Sequence, residues 1–177
     1  MSGIDHSEHL RGRRQAKVST NNFERMIRLA EEFFDAKNDP DQLAVDEAVI
    51  GRLRALDPAS LAEEDDGFGP VAWVLMIPTT EESMQRFIAG SIGERALLEE
   101  TLPGAEYEAI YLCSALVLPE YRDKGVARRL TLRGVEEIRS RHPIKVLYYW
   151  PFSEEGRKLA SSVAAGARLP LLERPAQ

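Results

Sequence analysis

The sequence holds a single cysteine, Cys113. No internal disulfide can form, and the composition suits a reducing, cytoplasmic compartment. No apolar run approaches the ~20 residues needed to span a bilayer. The opening stretch, MSGIDHSEHLRGRRQ, lacks the apolar segment of a signal peptide, so no membrane association is expected. An excess of positive charge is missing too. The formal net charge of −6 argues against a general nucleic-acid binder. Histidine is scarce. His6 and His9 stand i, i+3, but no third ligand accompanies them, so no metal site is expected. There is no internal repeat and no low-complexity segment.

What remains is an ordinary globular balance, 44% hydrophobic and 29% charged over 177 residues, enough for one domain with a real core. Residues 1–18 are polar and aperiodic. They read as a tail, or as an arm that docks on a neighbour. Residues 19–177 read as one domain, helical over 19–66. In NNFERMIRLAEEFFDAK, Phe23, Met26, Ile27, Ala30, Phe33 and Phe34 keep a helical period, and Asn21 with Glu24 resembles a capping box. Asn38–Pro40 ends that helix, and Pro40 starts a second one reaching about Leu56. LAEEDDGFG reads as an acidic loop. Val71–Ile77 is a short continuous apolar run, the signature of a strand buried on both faces. Thr79 and Glu82 open a helical region to about Glu100, broken near GSIG. Ala109–Leu118 is a second buried strand. A helix follows from Val126 to Arg141 with Ala127, Leu130, Gly134 and Ile138 inside. Gly134 allows close approach to the sheet. IKVLYYW is a third strand. SEEGRKLASSVAAGA is a helix capped by Ser153 and ended by Gly166. RLPLLERPAQ carries a short strand. The closing βαβα order implies partly parallel pairing and a right-handed crossover. The fold class is therefore α/β or α+β with a mixed sheet.

VLPEYRDKGVARRL, residues 117–130, stands out against the acidic background. The first turn of a helix leaves backbone N–H groups without intrahelical partners, and the helix dipole adds positive potential there. Together they can hold phosphate. Gly125 lets a ligand approach the backbone, Ala127 is nearly as small, and Arg122 and Lys124 add charge at the rim. The turn has neither the Gly-Lys-Ser/Thr of a Walker loop nor a G-x-G-x-x-G fingerprint. On these residues alone, an anion site and a plain strand-to-helix turn with a solvated basic face both remain open.

The stretch resembles the acetyl-CoA-binding motif of the GCN5-related N-acetyltransferases. That family carries Arg/Gln-x-x-Gly-x-Gly/Ala after a strand ending Val-x-Pro-Glu-Tyr. Here Arg122-x-x-Gly125-x-Ala127 follows Val117-x-Pro119-Glu120-Tyr121. The likeness covers Ala109 to about Gly166, with GFGPVAWVLMIPTT resembling an earlier family strand. The usual first strand is not evident. The resemblance implies a mixed central sheet flanked by helices, with a cofactor-binding core over 106–166. It implies that the strands at 109–118 and 144–150 splay apart for the pantetheine arm of acetyl-CoA. Backbone groups of Leu116, Val117 and Leu118 would pair with that arm. The N–H groups of Arg122, Asp123, Lys124, Gly125, Val126 and Ala127 would hold the pyrophosphate, and Arg128 or Arg129 would reach the 3′-phosphate.

Acetyl transfer to an amine needs a neutral nucleophile, donors for the oxyanion and a proton for the thiolate. The family's carboxylate-base positions hold Tyr111 and Trp150 here. Glu106 and Glu108 fall on the opposite face from Tyr111 by alternation. Ser162 stands where the family has its acidic tyrosine, with Tyr148 and Tyr149 as substitutes. Cys113 reads as a small core residue. The nonstandard parts would form the acceptor site, with the acidic loop Glu63–Asp66 favouring a cationic amine such as a polyamine or lysine. The leading expectation is an acetyl-CoA-dependent N-acetyltransferase acting on an unidentified amine by direct attack. The alternatives are an acyl-CoA-binding or sensing module on the same fold and a purely structural interaction domain. A homodimer is left open.

Overall fold

The computed structural model describes residues 21–35 and 40–176. The polar tail, the histidine pair and most of the expected break at Asn38–Pro40 lie outside the described residues. Among these residues eleven α-helices and strands follow in order, with short 3₁₀ turns at Pro58–Ser60 and Pro119–Tyr121. They are α1 (Asn22–Asp35), α2 (Glu47–Leu56), β1 (Leu61–Asp65), β2 (Pro70–Thr79), α3 (Glu81–Ile88), α4 (Glu94–Glu100), β3 (Ala109–Val117), α5 (Val126–Arg141), β4 (Val146–Tyr149), α6 (Glu154–Ala167) and β5 (Leu171–Glu173). The strands form one mixed five-stranded sheet in the order β1-β2-β3-β4-β5. β1, β2 and β3 pair antiparallel, while β3–β4 and β4–β5 are parallel. The parallel half follows from the βαβαβ run through α5 and α6, since each crossover returns the chain in the same direction. Among the described residues no helix is long and apolar enough to cross a membrane.

The two sheet faces carry different helices. On one face Met76 meets α5. A Cβ added at Gly134 would sit 2.2 Å from the Met76 methyl carbon, so the bare glycine gives the Met76 side chain room to lie between β2 and α5. On the other face Phe87 of α3 packs against Tyr111 and Tyr148, with ring centroids 4.7 and 5.8 Å away. α1 covers the same face nearer β2. Met26 is buried there with Val71, Leu116 and Leu118.

Four expectations need correction. The segment read as an acidic loop holds β1, paired with β2 from Leu61↔Leu75 to Asp65↔Pro70. Its acids are exposed or half-buried on a sheet edge, so the strand has no apolar signature. The second helix begins at Glu47, not Pro40. Asp46 caps it by accepting the Val49 N–H, and Pro40 lies in a turn. The cap of α3 is Thr80 rather than Thr79, which ends β2 and bonds the Tyr148 hydroxyl at 2.7 Å. α6 runs past Gly166 to Ala167, and Arg168 takes the left-handed cap at φ 56°. Gly166 instead lets α6 approach α5, since a Cβ there would lie 2.8 Å from Arg128 Nη2 and 3.1 Å from Leu132.

Gly93 is pressed against backbone. A Cβ there would fall 2.5 Å from the Asp41 carbonyl oxygen, which accepts the Glu94 N–H at 2.7 Å. That neighbour is backbone and cannot swing aside. Gly93→Ala should therefore cost about 2 kcal/mol by overpacking, or about 4–8 °C in Tm for a chain of this size. An unchanged thermal melt would show that the 40–46 segment yields freely.

Candidate functional site

β3 and β4 are paired over four residues only, from Ala109↔Val146 to Leu112↔Tyr149. The next residue, Cys113, is the extra residue of a β-bulge. Leu75 pairs with Ser114 and Met76 with Leu112, which leaves Cys113 unopposed on β2. A bulge bends its strand and sharpens the twist. Here the bend coincides with the point where β4 stops and the chain turns away through Trp150 and Pro151. The result is an open cleft of about 850 Å³ between the end of β3 and the 149–156 segment. Such a volume falls within the usual range of small-molecule sites.

One end of the cleft is the turn into α5. Asp123 and Gly125 both have positive φ, 60° and 72°. Gly125 adopts this conformation at no steric cost, and Asp is among the few other residues that tolerate it. The first bond back into α5 runs from the Arg129 N–H to the Gly125 carbonyl. The N–H groups of Val126, Ala127 and Arg128 precede it and are the unpaired donors of a helix start. Curved backbone of this kind makes an anion-binding concavity. A Cβ at Gly125 would meet nothing within 4 Å, so the backbone there faces open space.

Eight of the residues named above as cofactor contacts line the cleft: Leu116, Val117, Arg122, Asp123, Gly125, Val126, Ala127 and Arg128. Arg122 Nε donates to the Val117 carbonyl at 3.0 Å, tying the turn to the end of β3. Arg128 Nε donates to Ser162 Oγ at 2.7 Å. Leu118 and Lys124 lie off the wall. The Leu118 N–H is committed to the Val71 carbonyl at 2.9 Å, and Lys124 Nζ sits 5.7 Å from the Tyr121 ring centroid.

The residues named for chemistry are placed differently. Tyr111 is fully buried on the α3 face and donates to Glu94 Oε1 at 2.5 Å. Burial, reinforced by the Glu94 charge, pushes its phenol well above the ordinary tyrosine range. Glu94 also accepts the Leu43 N–H, so the pair anchors the 40–46 segment to the core. Ser162 sits between α5 and α6 with Arg128 and does not line the cleft. Glu108 accepts the Glu81 N–H at the start of α3, remote from the split. Of the two alternative tyrosines, Tyr148 is buried beside Thr79, and burial raises its hydroxyl. Tyr149 does line the cleft. Its hydroxyl donates to Glu173 Oε2 at 2.5 Å, and burial followed by that bond pushes its pKa up to about 12. Tyr149 therefore stays protonated at neutral pH.

The acids of the 63–66 stretch are used internally. Glu63 accepts from Trp73 Nε1 at 2.7 Å, and Glu64 lies 3.5 Å from both Arg129 and Arg133. Asp66 accepts from the Tyr121 hydroxyl at 2.5 Å and from Asn22 Nδ2 at 3.0 Å. None of them lines the cleft, so they do not form an acidic rim to it.

The first helix was expected among the parts around the acceptor, but what fastens it left no mark in the sequence. α1 forms a wall of the cleft through Leu29 and Phe33. It is clamped to the turn by Arg25, whose Nη1 and Nη2 reach Glu120 at 2.5 and 2.7 Å. The Arg25 hydrogen bonds hold the Glu120 pKa down to about 2. A depressed carboxylate contributes stability that is complete above its unfolded pKa, ~4.3, and lost only as pH falls through the folded value. The clamp should therefore persist at pH 4 and release toward about pH 2. A carboxyl-carbon NMR titration of Glu120 with a midpoint in the ordinary range would contradict this.

No protein-family model matches the chain, and no curated protein matches it.

Proposed function

We propose that this chain binds a coenzyme A thioester in the β3–β4 split and transfers its acetyl group to an amine by direct attack, as a GCN5-related N-acetyltransferase would. The observation that carries this reading is one juxtaposition. A bulged strand parts from its parallel neighbour, and the gap between them ends on the backbone of a positive-φ turn at the start of α5. The apolar gap suits a pantetheine arm, and the turn suits its pyrophosphate. The motif resemblance of residues 117–127 supports the same assignment.

In this reading the N–H groups of Val126, Ala127 and Arg128 hold the pyrophosphate, with Arg122 beside them. Thioester and amine meet near Leu112 and Tyr149, where the strands diverge. Tyr149 lines the wall there, and its protonated hydroxyl, now held by Glu173, would have to leave that carboxylate to serve as the acid. The amine must arrive neutral or lose its proton through water; the two carboxylates of the cleft, Asp123 and Glu155, belong to the α5 turn and the first turn of α6. The burial of Tyr111 and the engagement of Ser162 with Arg128 favour a second reading on the same fold, an acyl-CoA-binding or sensing module without turnover.

Thiol release from acetyl-CoA across a panel of primary amines separates the two. The transferase reading predicts amine-dependent release, reduced at least tenfold in Tyr149→Phe if that hydroxyl protonates the thiolate, since general acid catalysis typically contributes about 10²–10⁴-fold. Binding of acetyl-CoA without release for any amine would leave the sensing module.

A further inference from the structure

The cleft has two chemically distinct ends. Its charged lining residues, Arg122, Asp123, Arg128 and Glu155, all belong to the α5 turn or the first turn of α6. The remaining arm runs through the split toward the α1 side of the sheet. Leu29 and Phe33 of α1, Leu75, Ser114, Trp150 and Phe152 line it. No charged side chain is among them. Leu75 and Ser114 are cross-strand partners on the face that α1 covers, so this arm continues past the point where β3 and β4 part.

The walls of the arm are held in place. The Trp150 ring has the Arg174 guanidinium carbon 4.1 Å from its centroid on one side and Phe152 at 4.9 Å. Phe87 stands 6.0 Å away, edge-on. Arg174 is buried, and its Nη1 donates to the Ile92 carbonyl at 2.8 Å, so the ring rests on a fixed cation. Phe152 is 44% exposed. With Leu29, Phe33 and Trp150 it gives the cleft a contiguous apolar lining. Ser114 Oγ is buried without a hydrogen-bond partner among the described residues.

We infer that this arm takes an apolar acyl chain longer than acetyl, carried by the coenzyme A thioester. The inference rests on the coenzyme A reading above and adds its substrate class. The arm and the phosphate turn line one cleft, so a chain carried on the thioester reaches the arm without leaving that cleft. A cationic amine has no counter-charge there, and carrying an ammonium into uncharged walls is costly. A methylene chain has no such cost.

The test is calorimetric titration of the full chain with coenzyme A and with its acetyl, butyryl, hexanoyl and octanoyl thioesters. Each methylene buried in the arm should tighten binding roughly fourfold, so butyryl should exceed acetyl by about tenfold or more. Leu29→Asp and Phe33→Ala should each reduce the octanoyl-to-acetyl affinity ratio, and two variants guard against one failing to fold. Equal affinities across the series, with coenzyme A itself bound, would overturn the acyl-chain assignment and leave the cofactor reading standing. Flat acyl affinities with tighter binding of apolar amines to the acetyl-CoA complex would overturn it in favour of the acceptor as occupant. No binding of coenzyme A or any thioester would overturn both.

Discussion

Asp57→Ala is expected to be the most damaging single substitution outside the apolar core. Asp57 ends α2 and is only 2% exposed. Its carboxylate accepts the Ala59 N–H at 2.8 Å, capping the short 3₁₀ turn Pro58–Ser60. It also takes a bidentate pair from Arg141, Nε at 2.8 Å and Nη2 at 2.6 Å, with His142 Nε2 at 3.4 Å. Two distant parts of the chain, the turn at 57–60 and the end of α5, meet on this one side chain. Burial alone would raise its pKa, but the Arg141 bond, the Ala59 N–H and the charges of Arg141 and His142 outweigh it and hold the carboxyl below its ordinary value. Removing one partner of a buried pair costs roughly 3–5 kcal/mol. The Arg141 side chain is 41% exposed, and rehydration of the stranded guanidinium discounts that to about 2–4 kcal/mol. Urea unfolding should show this loss at neutral pH. Asp57→Asn should fall between, because the amide oxygen can still accept the Ala59 N–H. The sign of the pH dependence follows from the depressed pKa. The contribution is complete above the unfolded aspartate value, ~3.9, and fades as pH falls through the lower folded one. The variant and the parent should therefore converge in stability in strong acid.

Arg122→Glu should abolish most coenzyme A binding while leaving the fold in place. The side chain is exposed and lines the cleft beside the turn. A charge-assisted hydrogen bond contributes about 1.5–3 kcal/mol, and reversing the charge adds repulsion, so affinity should drop roughly a hundredfold or more. Arg122 also ties the turn to the Val117 carbonyl. Arg122→Gln separates the two roles, because it keeps a donor and loses the charge. It should bind coenzyme A more tightly than Arg122→Glu and more weakly than the parent. Far-UV circular dichroism should be unchanged in both.

The fold was largely legible where apolar runs met sharp punctuation. β3 sits between LPGAEY and Pro119, and α5 starts right after Gly125, as read from residue types alone. β1 was illegible because an edge strand need not be apolar. Its glutamates are held by Trp73, Arg129 and Arg133, partners distant in sequence. Gly166 was misread because a glycine at a helix end has two uses, and close helix packing won over capping. The turn before α5 was legible because a left-handed backbone position leaves glycine in the sequence. The remaining walls rest on long-range pairs. Nothing local predicts that Arg25 will find Glu120, or that Arg174 will lie over Trp150. Tyr111 and Ser162 show the same limit. Their strand and helix were placed correctly, but their partners, Glu94 and Arg128, give them other work.

The central claim is that the α5 turn cradles the phosphates of coenzyme A. Gly125 tests it most directly, because its missing Cβ faces open space and touches nothing in the protein. Calorimetric titration of coenzyme A should be run into the parent chain and into Gly125→Val. The left-handed conformation costs a branched residue about 1–2 kcal/mol, a loss the fold should survive. Clear binding heat is expected for the parent and none for Gly125→Val at the same concentrations. Equal binding by the two proteins, or no heat from the parent at high micromolar coenzyme A, would contradict it.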